Sequence, residues 1–248
     1  MDRKENLFLA QKIFTELVFN TAYIEGVNVT FPQTQAILDG AVVNNVPVSD
    51  IQTVLNLRDA WRYCLSTLDD PLDLKYICRI NDMVSKNESL EWGKLRNGFV
   101  GVGGTEYIPP VPEEAQVVAA LEQINAIPDA KERALEYFCY AVRSQLFWDG
   151  NKRTSTIVAS KILIEAGEGV LTIGKAEALD FNEALLHYYD TADPTALKAC
   201  LRTCIKTLSR AQRITDKLSA ARDEAEQNNL RRSTTPCFIV KANSKQDR

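Results

Sequence analysis

The stretch Gln145-Leu146-Phe147-Trp148-Asp149-Gly150-Asn151-Lys152-Arg153-Thr154-Ser155-Thr156 decides the reading of this 248-residue chain. On its N-terminal side, Leu135, Phe138, Val142 and Leu146 recur at helical spacing behind the polar start Asp129-Ala130-Lys131-Glu132. On its C-terminal side, residues 154–164 are apolar nearly all round, as in a helix buried on every face, and Gly167 and Gly169 end it. The stretch is therefore a loop between two core helices.

Working outward, apolar residues keep the helical period almost everywhere. Leu7, Ala10, Phe14, Leu17 and Thr21 share the face of a first helix. Ile51, Val54, Leu55, Trp61, Leu65 and Leu68 stripe a second, with Ser49 or Asp50 as its N-cap. Leu74, Ile77, Ile80 and Val84 form a third, and further helices are expected from near Glu113, over 175–189 and over 194–221. The fold class is all-α. One segment departs from it: Phe99-Val100-Gly101-Val102 and Thr105-Glu106-Tyr107-Ile108 flank Gly103-Gly104 and read as a β-hairpin. Such a hairpin is either a connector or an edge that pairs with an extended peptide. Residues 1–225 are expected as one domain and 226–248 as a polar, basic tail.

Composition limits the function. Hydrophobic residues make up 45% and charged residues 25%, which excludes wholesale disorder. The formal charge of −4 lacks the basic footprint of nucleic-acid binding. No apolar run is long enough to span a bilayer, and the start Met1-Asp2-Arg3-Lys4 does not read as a secretory signal. The six cysteines are scattered through helical patterns and read as reduced core thiols of a cytoplasmic protein. The single histidine, His187, lies on a helix and reads as a surface residue.

The opening stretch also carries the chemistry. A helix N-terminus favours anions, Gly150 permits close approach to the main chain, and Lys152 and Arg153 add positive charge. Asp149 stands where it could hold Mg²⁺ against the same phosphates. Asp-Gly-Asn is equally a good turn and cap.

The stretch resembles the signature loop of the Fic/Doc family, His-x-Phe-x-(Asp/Glu)-Gly-Asn-Gly-Arg-x-x-Arg. Three further features agree. Trp92-Gly93-Lys94-Leu95-Arg96-Asn97-Gly98, with the Gly-Gly hairpin and Ile108-Pro109-Pro110, resembles the family's target-docking flap. Thr21-Ala22-Tyr23-Ile24-Glu25-Gly26 is similar to its inhibitory helix motif, (Ser/Thr)-x-x-x-Glu-(Gly/Asn). Residues 188–201 resemble its closing segment. The likeness covers roughly residues 5–210.

The resemblance implies a Fic-like helical bundle and a nucleotide-dependent protein modifier. Such a protein moves AMP from ATP to a target hydroxyl, with ATP and Mg²⁺ as cofactors. By position, Asp149 would take the metal, and Gly150, Asn151, Lys152 and Arg153 the nucleotide phosphates. Gly98, Phe99, Val100, Gly101, Thr105 and Tyr107 would dock a protein target. Thr21, Glu25 and Gly26 would form the inhibitory motif. Oligomerisation is compatible with the resemblance.

The departures bear on activity. The general-base histidine of the pattern is Gln145 here, and an amide cannot accept a proton near neutral pH. The Gly after Asn is Lys152, closer to the Doc-like branch. The second arginine is Thr156, which leaves Glu25 without its usual partner, so that Arg153 or Lys152 becomes the alternative. Two functions follow: weakened adenylyl transfer, or an inactive binding module that holds a nucleotide or a partner protein.

Overall fold

The computed structural model describes residues 2–208, which form ten helices and one small sheet. In chain order these are α1 (Arg3–Lys12), α2 (Phe14–Tyr23), α3 (Phe31–Leu38), α4 (Val48–Ser66), α5 (Leu74–Val84), α6 (Glu114–Asn125), α7 (Ala130–Ser144), α8 (Asn151–Ala166), β1 (Val170–Leu171), α9 (Ala178–Thr191), α10 (Thr195–Thr203) and β2 (Ile205–Lys206). No described helix is long and apolar enough to cross a membrane. The 226–248 tail lies outside the described residues.

α8 is the axis of the bundle. Its residues from Asn151 to Ile164 are buried with the single exception of Lys152. It packs against α7 along its length, with α5, α1 and α4 around it. Asp129 caps α7 by accepting from the Glu132 N–H at 2.8 Å, as its acidic start implies. Trp61, wholly buried on α4, donates through Nε1 to Thr21 Oγ1 at 3.2 Å and so fixes α2 on α4.

The structure corrects several expectations. The first helix is two, α1 and α2, broken at Ile13, whose φ of −101° and ψ of 21° leave the α region. α4 begins at Val48 after Pro47; Asp50 accepts from the Asn28 N–H at 3.2 Å and does not cap the helix. The helix expected over 194–221 stops at Thr203. Ile205 and Lys206 instead pair antiparallel with Leu171 and Val170, forming the one sheet among the described residues. The remainder of that segment, from 209, lies outside the described residues.

The hairpin expected at 99–108 is also corrected: its arms flank a turn at Gly103–Gly104 but form no strands and do not pair. The second arm and the residues flanking the segment use their polar groups locally. The Tyr107 N–H donates to Thr105 Oγ1 at 3.0 Å, and the carbonyls of Gly98, Pro109 and Pro110 all accept from Arg96. An isolated two-stranded hairpin is marginal in water, so these local bonds prevail.

The reading of the cysteines as core thiols holds for Cys64, Cys139 and Cys204, which are free and buried, while Cys78 and Cys200 are half-buried. Burial pushes the Cys64, Cys139 and Cys204 thiols up to about 12. A raised pKa removes the reactive thiolate. Iodoacetamide at pH 7.5 will therefore leave these three unmodified in the native protein, as read by mass spectrometry of the digested chain. Modification of Cys64 without denaturant would contradict this packing.

Candidate functional site

The loop between α7 and α8 is built on two left-handed residues. Gln145 ends α7 at φ 45°, ψ 60°, and Gly150 precedes α8 at φ 73°. At Gly150 a side chain is excluded twice, by that φ and by space: a Cβ would lie 2.2 Å from Ser85 Oγ and 2.9 Å from Val84 Cγ1. α5 grips the loop from below, because Asn81 Nδ2 and Ser85 Oγ both donate to the Asp149 carbonyl at 2.9 Å. Asn151 holds the loop closed. Its Oδ1 accepts from the Phe147 N–H at 2.9 Å, and its Nδ2 donates to the Phe147 carbonyl at 2.9 Å and to Gln145 Oε1 at 3.0 Å.

Above the loop is a cavity of about 620 Å³, within the range of small-molecule sites. Glu25, Gln145, Asp149, Asn151 and Lys152 line it, with the Gly101–Gly103 turn on one side and Asn182, Leu185, Leu186 and Tyr189 of α9 on the other. Of the expected nucleotide-binding residues, Asn151 and Lys152 line this cavity, and Gly150 and Arg153 do not. No side chain caps the N-terminus of α8. Among the described residues no cluster of His, Cys, Asp or Glu is assembled to hold a metal by itself.

Gln145 is held on three sides. Its Nε2 donates to the Val142 carbonyl at 2.7 Å and to the Tyr189 hydroxyl at 3.1 Å, while Oε1 receives Asn151. Burial pushes the Tyr189 phenol well above its ordinary range, so it stays protonated. His187 is exposed on α9 and does not line the cavity.

The acidic residues converge on Lys152 and Arg153. Lys152 Nζ lies 3.3 Å from Glu25 Oε2 and donates to the Ile24 carbonyl at the end of α2 at 3.0 Å. The Arg153 side chain is only 2% exposed and meets Glu88 at 2.5 Å, Asp149 at 3.3 Å and Glu25 at 3.9 Å. Burial alone would lower its pKa, but Glu25, Glu88 and Asp149 outweigh that and hold it above its usual value. Glu25 thus faces both alternative cations weighed from the sequence. Thr21 and Gly26 do not line the cavity, and Thr21 serves α2–α4 packing. Thr156 is buried and returns its hydroxyl to the Lys152 carbonyl at 2.9 Å.

The segment over the cavity is anchored at its base and latched at its tip. Arg96, 1% exposed, donates from Nε to the Gln145 carbonyl at 2.5 Å, from Nη1 to Gly98 at 2.5 Å, and from Nη2 to Pro110 at 2.6 Å. A Cβ at Gly98 would stand 2.6 Å from the Trp148 ring. At the tip, Thr105 donates to Asp190, and Tyr107 stacks on Tyr189 with ring centroids 6.0 Å apart under the Arg143 guanidinium. Phe99, at 76%, is the exposed apolar residue of this segment's entry. Glu88, Asn81, Ser85 and the α9 residues escaped the sequence reading because no local pattern marks them.

The sequence model of the Fic/DOC family matches residues 71–163. Over those residues the chain is similar to the Fic/DOC family, and its helical fold is that of solved Fic structures. Fic-1 from C. elegans superposes with a TM-score of 0.66 at 20% identity, over 86% of this chain and 64% of that one. A Fic domain containing signaling protein from Bacteroides thetaiotaomicron gives 0.68 at 18% identity, over 82% and 87%. Among curated relatives, the protein adenylyltransferase Fic of Culex quinquefasciatus is 27% identical over 176 residues, and that of Aedes aegypti 26% over 178. This chain spans 35% of the length of either relative, and each alignment takes in 66% of this chain.

Proposed function

We propose that this chain is a nucleotide-dependent protein modifier of the Fic type, with adenylyl transfer from ATP to a target hydroxyl weakened by Gln145. The observation that carries the reading is the single cavity lined by Glu25, Gln145, Asp149, Asn151 and Lys152 between the 101–103 turn and α9. The open N-terminus of α8 and Lys152 would receive the phosphates. Gly150 lets the loop turn beneath them, Asn151 holds its shape, and Arg153 supports it from below. Asp149 would hold Mg²⁺. One carboxylate facing a phosphate site suits that ion, which usually takes one or two carboxylates and completes its shell with phosphates and water. Bound there, the ion would offset phosphate charge.

In the transfer, the target oxygen bonds to the α-phosphorus, the bond to the bridging oxygen breaks, and pyrophosphate leaves. The hydroxyl proton needs an acceptor. Gln145 Oε1 can accept a hydrogen bond from that hydroxyl and orient it, but cannot take the proton. The target would lie along Gly98, Phe99, Val100 and Gly101, which pair with no strand, while Thr105 and Tyr107 hold the tip on α9. Thr21, Glu25 and Gly26 would form the inhibitory element, with Glu25 drawn onto Lys152. A second reading, an inactive binding module, is favoured by one observation: Lys152 and Arg153 already have carboxylate partners.

The test is calorimetric titration with ATP and Mg²⁺, joined to transfer of label from α-labelled ATP to protein in a cell extract. Wild type should bind, and Asp149→Ala should lose metal-dependent binding by about tenfold or more. A wild type that binds no nucleotide in Mg²⁺ would remove the transfer reading and leave only a module that holds a partner protein. Label transfer abolished by Asp149→Ala would remove the inactive one.

A further inference from the structure

Arg153 is fixed by more than Glu25. Its shortest ion pair, 2.5 Å, is to Glu88 Oε2, whereas Glu25 stands at 3.9 Å. Glu88 lies in the segment after α5, outside the signature loop and the α2 motif, and its carboxylate is itself held. Oε1 lies 3.0 Å from the Thr53 hydroxyl and 3.0 Å from Asn56 Nδ2, both on α4. Asn56 also donates to the Lys86 carbonyl at 2.9 Å, which ties the same segment to α4. Arg153 Nε is buried without a hydrogen-bond partner, 3.9 Å from Glu25 Oε1, while Glu25 Oε2 makes no hydrogen bond and is paired ionically with Lys152. The guanidinium is thus drawn to the Glu88 side, with one donor left unused.

The geometry points to Glu88 as a second, independent lock on the site: a positioning residue that holds Arg153 away from nucleotide phosphate whatever Glu25 does. The inference rests on the nucleotide-binding reading above. A buried guanidinium turns toward phosphate only if its carboxylate partners release it, because an unpaired buried charge is costly. Removing Glu25 leaves Arg153 with its closest partner. Removing the charge of Glu88 leaves the two longer ion pairs and a 3.4 Å hydrogen bond from Nη1 to the Val84 carbonyl, and frees Nη1 from its one close carboxylate. Thr53 and Asn56 make the lock stiff by fixing the carboxylate, so that loosening either loosens the arginine without touching it.

The experiment compares wild type, Glu25→Gln, Glu88→Gln, the double variant and Thr53→Val. Affinity for ATP with Mg²⁺ is measured by calorimetry, and solvent exchange of the Arg153 Nε proton by NMR of ¹⁵N-labelled protein. Glu88→Gln, which is isosteric, should tighten binding about tenfold, the worth of one strong charged contact. The double variant should bind more tightly than either single one, and the Nε proton should exchange faster in both Glu88 variants. Thr53→Val keeps every charge and should move affinity and exchange in the same direction to a smaller extent. A merely structural Glu88 would weaken binding when altered, so equal or weaker affinity with an unchanged Nε exchange overturns the lock. If no variant binds nucleotide, the functional reading falls and the lock against phosphate falls with it, and the exchange then decides only whether Glu88 positions Arg153: faster in Glu88→Gln upholds that positioning, unchanged refutes it. Should Glu88→Gln fail to fold, Thr53→Val decides by the same two readouts.

Discussion

Arg96→Ala will lower stability by about 3–5 kcal/mol, because it strips a buried fork of donors from several carbonyls at once. The guanidinium reaches both ends of the flap, Gly98 on one side and Pro109 and Pro110 on the other, and the carbonyls of Ser144 and Gln145 at the end of α7. Its own backbone N–H donates to the Leu146 carbonyl at 3.0 Å, so main chain and side chain grip the same loop. No carboxylate stands among these side-chain partners. The charge is matched instead by carbonyl oxygens, two of them at the negative end of a helix. Burial draws the pKa of Arg96 below the usual arginine value. Lysine cannot replace it, since a point ammonium has no planar fork to reach three directions. For a domain of this size the loss corresponds to a fall in melting temperature on the order of 10 °C. The segment 98–107 should become the first site of limited proteolysis. A variant that melts like wild type and keeps this segment protected would show that Trp148 and the Tyr107–Tyr189 stack hold it without Arg96.

The sequence was most legible where burial is periodic. α5, α7 and α8 follow directly from apolar spacing, since each packs one broad face or, for α8, every face into the core. α3 was missed although Thr30-Phe31-Pro32-Gln33 carries a helix start: Thr30 and Gln33 form a capping box and Pro32 sits in the first turn. That signal was local but short. β1 and β2 had no local signal, because Val170 and Leu171 acquire strand geometry only by meeting Lys206 and Ile205 from far along the chain. The candidate site divides the same way. Gln145 to Arg153 is one continuous stretch, a loop as far as Gly150 and then the first turn of α8, and could be read as a loop opening a helix. Glu88, Asn81, Ser85 and Tyr189 reach it from α9, from α5 and from the segment after α5, and only tertiary packing brings them there. The flap was legible as an extended segment around Gly103-Gly104 but not as unpaired, because its competitor for hydrogen bonds, Arg96, acts across several turns of chain. Periodicity reports which faces are buried; it does not report which polar groups meet there.

Gln145→His will raise transfer of label from α-labelled ATP by about 10²–10⁴-fold over wild type, the usual worth of a positioned general base. The backbone admits the change. Gln145 is left-handed at φ 45°, and histidine is among the residues other than glycine that enter this region most readily. The surroundings also suit an imidazole. Val142 O and the Tyr189 hydroxyl, which now take the two amide protons of Gln145, can accept from one ring N–H. The other ring nitrogen then keeps its lone pair free, and an unperturbed pKa near neutrality lets it take the hydroxyl proton as the oxygen attacks. Glu25 and Glu88 limit how far the gain extends, since they hold the cations that would steady the phosphates. The gain should therefore be larger in Gln145→His/Glu25→Gln than in Gln145→His alone, and should vanish when Asp149→Ala is added. Equal labelling by wild type and Gln145→His would mean that the proton leaves by another route, directly to water or to the phosphates. Absence of labelling in every variant despite nucleotide binding would place the deficit at Lys152 and at the second arginine of the pattern, here Thr156, and favour a protein that binds nucleotide without transferring it.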